Sequence, residues 1–86
     1  MKYIIFQKTD GTDALRVADE GTEHIHLWEE IGRRNINGIV SAGKVYLRED
    51  KELIVLHGSV GLGIKYNEQE RQNDEVMLKD FFQFRI

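Results

Sequence analysis

Four short stretches of the chain are rich in β-prone residues, and three of them alternate between apolar and polar positions as half-buried antiparallel strands do. The first two, residues 3–8 and 14–18, flank an Asp-Gly pair at 10–11. Glycine tolerates the positive φ of a two-residue hairpin turn, so this pair predicts a hairpin. In the register that such a turn sets, Phe6 lies opposite Leu15.

The stretches 39–48 and 53–64 flank a charged segment and predict a second hairpin. When Arg48 lies opposite Leu53, one face of this hairpin is almost wholly apolar and the other carries most of the polar side chains. A shift by one residue would exchange the two faces and bury charge. We therefore expect this register.

Two other segments have helical periodicity. One is predicted to begin at Thr22, a fair N-cap, and its apolar side chains recur at helical spacing over 25–31. The other is polar at its start and apolar toward its end, and either Asn67 or Asn73 is suited to begin it. The order ββαββα predicts a single α+β domain over residues 1–86, with an antiparallel four-stranded sheet and both helices packed on one face.

Composition narrows the class of protein. The chain has 86 residues, of which 41% are hydrophobic, and it contains no cysteine, which excludes a disulfide scaffold, a thiolate zinc site and thiol catalysis. No apolar run approaches the roughly 18 residues of a membrane span, and the apolar start is too short for a signal peptide. We expect a cytoplasmic protein. Its net charge of -3 gives no electrostatic reason to expect nucleic acid or a membrane as partner.

The three histidines, His24, His26 and His57, are the candidates for metal binding or acid–base catalysis. His24 and His26 are expected on a helix, where side chains two residues apart point roughly 200° apart and cannot bind one metal ion. His57 and Ser59 are expected on one strand, about 6.5–7 Å apart, which is too far for the hydrogen bond between a nucleophile and its base. We therefore predict no metal, no cofactor and no catalytic residue, and the function of the three histidines stays open.

The segment 58–65 is rich in glycine but matches neither the Walker spacing nor the dinucleotide fingerprint. In the expected register Gly43 lies opposite Gly58, which makes a hollow in the apolar face. Trp28 is the natural side chain to fill it, because a large ring needs a recess. The alternative is that this glycine-rich hairpin binds a small molecule or a nucleotide.

The outward face of the second hairpin is expected to carry one polar, net-positive patch. It consists of Lys44, Tyr46, Arg48, His57 and Ser59. Tyrosine and arginine are frequent contact residues, so this patch is a candidate binding site for an acidic or phosphorylated partner. The alternative is an ordinary solvated sheet face.

The end of the chain has an unusual density of apolar side chains, namely Phe81, Phe82, Phe84 and Ile86. One helix directs only part of such a set into a small core, and the remainder would be exposed unless another protein covers it. We expect a homodimer that buries these side chains.

The stretch 39–64 resembles a family of small uncharacterised bacterial proteins. Members of that family begin with a Lys-Tyr strand, have a histidine in the middle, and then carry Val-Ser-Ala-Gly followed by Ser-x-Ser-Leu-Gly. The matching residues here are Lys2-Tyr3, His24 or His26, Val40-Ser41-Ala42-Gly43 and Ser59-Val60-Gly61-Leu62-Gly63. The resemblance implies the same element boundaries, and since the family has no assigned activity it implies no mechanism.

Taken together, the small size, the absence of a catalytic constellation and the terminal aromatics predict a non-catalytic interaction or regulatory protein that acts as a homodimer. Another protein is the alternative partner. A small-molecule or nucleotide-binding domain is the alternative function, and an enzyme that uses one of the histidines is a third.

Overall fold

The computed structural model describes residues 1–32, 36–50 and 52–83. Its elements are β1 (Lys2–Lys8), β2 (Asp13–Ala18), α1 (His24–Ile31), β3 (Ile36–Leu47), β4 (Leu53–His57) and α2 (Glu68–Gln83). The four strands form one antiparallel sheet in the order β2-β1-β3-β4. The α+β class and the ββαββα order are therefore confirmed.

The two helices pack on opposite faces of this sheet, so the prediction that both cover one face is wrong. In β1, Ile4 belongs to a buried cluster with Leu27 of α1, whereas Tyr3 and Ile5 belong to a cluster with Leu78 of α2. Neighbouring residues of a strand point to opposite faces. Because β1 is apolar at consecutive positions, both of its faces need cover, and one helix on each side provides it.

Each face has its own small core. The cluster on the face covered by α2, here the α2 face, consists of Tyr3, Ile5, Val45, Leu53, Val55, Leu78 and Phe82. The cluster on the α1 face consists of Ile4, Leu27 and Ala42, against which Phe6, Ala18, Trp28, Ile31, Ile39, Leu62 and Ile64 are partly buried. The central strands β1 and β3 supply side chains to both.

The first hairpin is paired one residue away from the predicted register, with Ile5 opposite Leu15. The Lys8 N–H donates to the Thr12 carbonyl (2.8 Å), and the Gly11 N–H donates to the Lys8 carbonyl (2.9 Å). The loop between the strands therefore has three residues instead of two. Gly11 has φ 88°, as expected of the bulged glycine that ends such a loop.

The second hairpin is shifted in the same direction. Val45 lies opposite Val55, and the Arg48 N–H donates to the Glu52 carbonyl at 2.9 Å. The residues of β4 are apolar at nearly every position, so their pattern does not distinguish the two faces and the loop sets the register. The shift places Leu53, Val55 and His57 on the α2 face.

Helix α2 begins at the first of its two predicted starts. The Asn67 side-chain Oδ1 accepts a hydrogen bond from the Glu70 N–H at 3.0 Å, so Asn67 and not Asn73 is the N-cap. Helix α1 is helical as predicted, but its N-cap is Glu23 instead of Thr22, and no side chain caps it.

Candidate functional site

A cleft of about 930 Å³ lies beside the first turn of α1. Its wall is the segment that follows β4, here called the glycine-rich turn (residues 58–64). Ser59 and Ile64 pair across this turn through two backbone hydrogen bonds of 2.9 Å. Gly58 and Gly63 have φ of 116° and 69°, which side-chain-bearing residues rarely adopt, so the turn depends on these two glycines.

A chain of hydrogen bonds joins this turn to α1 and to the sheet. The Ser59 hydroxyl lies 3.0 Å from His24 Nδ1, and His24 Nε2 lies 2.7 Å from the Gly43 carbonyl oxygen. A carbonyl oxygen only accepts, so Nε2 carries the proton and donates it to this bond. In the neutral ring Nδ1 is then the acceptor for the Ser59 hydroxyl.

The surroundings of His24 favour this neutral form. Its burial lowers the pKa of the imidazole below the usual 6.5, and the positive charges of Lys2 and Lys44 lower that pKa further. Both the His24 and Ser59 residues are buried. At neutral pH the cleft therefore contains an uncharged imidazole bonded to a hydroxyl group.

Cationic side chains line the same cleft. Lys2 of β1 and Lys44 of β3 lie directly opposite each other in the sheet, and both line the cleft. Lys65, which follows the glycine-rich turn, also lines it. Glu23 is the acidic residue among the described lining residues, so the cleft has more positive than negative charge.

His57 is placed differently from the prediction. Its side chain is fully buried on the α2 face, where Nδ1 accepts the Asn67 N–H at 3.0 Å. Nε2 lies 3.0 Å from a carboxylate oxygen of Glu70, without the alignment of a hydrogen bond. These contacts join the end of β4 to the start of α2.

The predicted outward patch is not formed as one surface, because the register shift separates its members. Lys44 and Tyr46 are exposed on the α1 face, whereas His57 is buried on the α2 face. Ser59 is buried in the glycine-rich turn, and Arg48 is exposed beyond the end of β3. Three of the five, Lys44, His57 and Ser59, line the cleft. A role for these residues in binding stays a prediction.

The hollow expected between Gly43 and Gly58 is also absent, because Gly43 lies opposite His57. A Cβ atom at Gly43 would lie 2.2 Å from the Leu56 carbonyl oxygen and 2.9 Å from the Tyr3 hydroxyl oxygen. The glycine therefore permits a close approach and leaves no recess. Trp28 packs instead against the cluster on the α1 face.

A second polar cluster lies wholly within the α2 face and has no counterpart in the sequence predictions. The Tyr3 and Ser41 hydroxyls both donate to Oδ2 of Asp74, at 2.6 and 2.5 Å. All three residues are buried. Burial raises the pKa of the Asp74 carboxyl, and burial together with the bond to Asp74 raises the pKa of the Tyr3 hydroxyl.

The C-terminal aromatic side chains belong in part to the core. Phe82 is buried in the cluster on the α2 face, so it is not available as an exposed interface residue. Phe81 is partly buried and makes an edge-to-face contact with Phe82, with ring centroids 5.2 Å apart. Phe84 and Ile86 lie outside the described residues.

The bond between Ser59 and His24 is a second feature that sequence reasoning missed. The sequence offers His57, two positions away, as the neighbour of Ser59, and it predicts His24 near the surface of a helix N-terminus. A histidine at the start of a short amphipathic helix and a serine inside a glycine-rich turn are the available signals. Their contact depends on the packing of α1 against the sheet, which neither signal reports.

Within the described ranges 1–32, 36–50 and 52–83, no group of three histidine or acidic side chains is placed to hold a metal ion. Neither helix in those ranges is long and apolar enough to cross a membrane. Searches against protein-family models, curated proteins and solved structures give no match for this chain.

Proposed function

We propose that this protein binds a small anionic molecule, one that carries a phosphate or carboxylate group, in the cleft beside α1. The observation that carries the proposal is the pairing of Lys2 with Lys44. Two like charges directly opposite each other in an antiparallel pair destabilise a sheet. An anion held between the two ammonium groups removes that repulsion and adds charge-assisted hydrogen bonds.

The rest of the cleft supports the same class of ligand. Its volume of about 930 Å³ is within the range of small-molecule sites. A Cβ atom at Gly61 would meet nothing within 4 Å, so the turn leaves open space on that side. The neutral His24 and the Ser59 hydroxyl supply polar groups that do not add negative charge. This is the small-molecule alternative of the sequence analysis, at a different place from the expected hollow.

The experiment is a thermal-unfolding titration with inorganic phosphate, pyrophosphate, adenosine monophosphate and citrate, followed by calorimetry with the best of them. A ligand that binds only the folded state raises the midpoint temperature of unfolding, roughly in proportion to the logarithm of the ligand concentration. We expect Lys44→Gln to weaken binding about tenfold, which is the effect of losing roughly 1.4 kcal/mol of charge-assisted bonding.

Lys79→Gln is the matched control, because Lys79 is an exposed lysine of α2 that lies outside the cleft lining and pairs with Glu75. Removal of its charge should leave the affinity within about twofold. The proposal is overturned if none of the four anions raises the midpoint temperature of unfolding. It is also overturned if Lys44→Gln and Lys79→Gln lose equal amounts of binding affinity.

We propose self-association as a second candidate, because the α1 face has an exposed apolar area beside the edge strand β4. Tyr46, Ile54 and Leu56 are exposed there, Leu56 to 52%. Tyr46 lies opposite Ile54, with Leu56 two residues further along the same face of β4, and contiguous exposed apolar side chains are typical of interaction surfaces. Light scattering on a size-exclusion column should give the mass of a dimer for the wild type and of a folded monomer for Leu56→Glu.

The control for that experiment is Val76→Glu, which adds the same charge at an exposed apolar residue of α2. A wild-type monomer, or dissociation by the Val76 variant alone, contradicts an interface on the α1 face.

A further inference from the structure

We infer that Ser59 is a nucleophile with His24 as its general base, and that the cleft hydrolyses carboxylic esters whose acyl group carries a negative charge. This inference rests on the proposed function, since the same lysines would hold the anionic end of the substrate. It goes beyond binding because it assigns a covalent step to the pair.

The geometry is that of an activated hydroxyl. A serine is a weak nucleophile unless a base within hydrogen-bond reach removes its proton, and the base is itself held by a third group. Here the Ser59 hydroxyl and His24 Nδ1 are 3.0 Å apart, and the Gly43 carbonyl holds Nε2 at 2.7 Å. The carbonyl fixes the tautomer whose Nδ1 lone pair faces the hydroxyl group.

A comparison within the chain separates this pair from an ordinary structural hydrogen bond. Ser41 also donates to a titratable side chain, Asp74, but neither of these two residues lines the cleft. Ser59 and His24 both line it, together with the cationic side chains of Lys2 and Lys44. The hydroxyl of Ser59 is thus recessed at the wall of an open, positively charged cleft.

The reaction follows from these groups. Oγ of Ser59 attacks the carbonyl carbon of the ester while its proton moves to His24 Nδ1. The bond from that carbon to the leaving oxygen then breaks, and the leaving alcohol takes the proton from His24. A water molecule attacks the resulting acyl-serine, His24 accepts its proton and returns it to Oγ, and the carboxylic acid is released. No oxidant, reductant or metal ion enters this balance.

Lys2 and Lys44 explain why an anionic ester should react faster than a neutral one. Their ammonium groups attract the negative end of the acyl group, and they reduce the energy of the negative charge that develops on the carbonyl oxygen during the attack. A neutral ester of similar length lacks the first of these interactions. We therefore expect the anionic ester to react faster by at least tenfold.

The test uses mono(4-nitrophenyl) terephthalate as the anionic probe, because its carboxylate cannot reach its own ester, and 4-nitrophenyl benzoate as the neutral one. Release of 4-nitrophenolate gives the rate, and peptide mass spectrometry of quenched samples locates the acyl group. We expect one 4-carboxybenzoyl group on Ser59 of the wild type. Ser59→Ala should lose that adduct, and His24→Gln should slow its formation about 100-fold or more, the usual contribution of a general base.

His26→Gln is the matched control, because His26 is an exposed histidine of the same helix and lies outside the cleft lining. It should react at the wild-type rate. Circular dichroism of each variant shows whether it is folded. If His24→Gln does not fold, the adduct map of the wild type and the comparison with Ser59→Ala still decide the matter.

Acylation confined to lysine side chains, or release of 4-nitrophenolate that is equal in the wild type and Ser59→Ala, overturns the inference. If the anion titration succeeds and Ser59 stays unmodified, the cleft binds anions and catalyses nothing. If Ser59 is acylated equally fast by both probes, the nucleophile stands and the preference for negative charge is wrong.

Discussion

The two faces of the sheet use similar side chains in different settings. On the α2 face, the hydroxyls of Tyr3 and Ser41 donate to Asp74 within the core. On the α1 face, the hydroxyl of Ser59 donates to His24 at the wall of a cleft lined by lysines. Both arrangements satisfy buried polar groups, which would otherwise cost about 1–3 kcal/mol each.

The two clusters differ in their surroundings, because one lies in the core and the other lines the cleft. Asp74 of α2 is buried and accepts two hydrogen bonds from strands β1 and β3, so its cluster holds α2 against the sheet. His24 and Ser59 are also buried, but both line the cleft, and His24 is held by the Gly43 carbonyl. In our proposal, the same type of bond supports stability on one face and serves chemistry on the other. The three predictions that follow test this division.

Asp74→Leu should have the largest effect on stability. It leaves the Tyr3 and Ser41 hydroxyls buried without an acceptor, so we expect a loss of about 2–5 kcal/mol in the free energy of unfolding. Asp74→Asn keeps an acceptor oxygen and should lose only about 1 kcal/mol. Urea unfolding of both variants measures the difference. Equal losses in the two variants would contradict the role given to the buried acceptor.

Gly43→Ala should have the next largest effect. Its Cβ would lie 2.2 Å from a backbone oxygen of β4, so the two strands must move apart. We expect a loss of about 1–3 kcal/mol in the free energy of unfolding. Gly61→Ala is the control, because its Cβ would meet nothing within 4 Å, and it should change stability by less than about 0.5 kcal/mol. If urea unfolding gave similar losses in the free energy of unfolding for both variants, the close approach of β4 to Gly43 would be refuted.

The smallest effect should come from the titration of His24. Since its pKa is lowered in the folded state, the unfolded chain takes up a proton at higher pH than the folded one. The contribution to stability is complete above the unfolded pKa of 6.5 and is lost as the pH falls below it. Its size is about 1.4 kcal/mol for every tenfold difference in proton affinity between the unfolded and folded chains.

The measurement for His24 is urea unfolding of the wild type and His24→Gln from pH 7.5 to 5. The wild type should lose more stability than the variant over this range, and His26→Gln should follow the wild type. Parallel curves for the wild type and His24→Gln would show that the imidazole is not held in its neutral form.

Much of the architecture was predictable because it depends on local signals. The apolar alternation indicated the strands, and Asn67 was one of two predicted starts of α2, of which the structure shows Asn67 to be the one used. The registers were not predictable by the same means. Glycine at position 11 suits a three-residue loop with a bulge as well as a two-residue turn, and β4 is apolar on both faces. A difference of one loop residue then exchanged the two faces of a strand.

The candidate site was harder to predict for a related reason. The predicted binding patch includes Lys44, His57 and Ser59, which line the cleft, and Tyr46 and Arg48, which do not, and its role in binding stays a prediction. His24, the residue that gives Ser59 its chemistry, lies 35 positions away and reaches it only through tertiary packing. Asp74 was missed because a single acidic residue in a helix is ordinarily a surface residue. In both cases the chemistry depends on burial, which the local pattern does not report.

Gly43 limits how this protein can change in evolution. Its carbonyl orients His24 at the cleft, and the space beside its α-carbon is filled by the Tyr3 hydroxyl and a carbonyl oxygen of β4. A mutation that repacks the core and displaces this backbone also displaces the acceptor that orients the imidazole. A change in the core that moves the backbone at Gly43 must therefore be tolerated by the cleft as well.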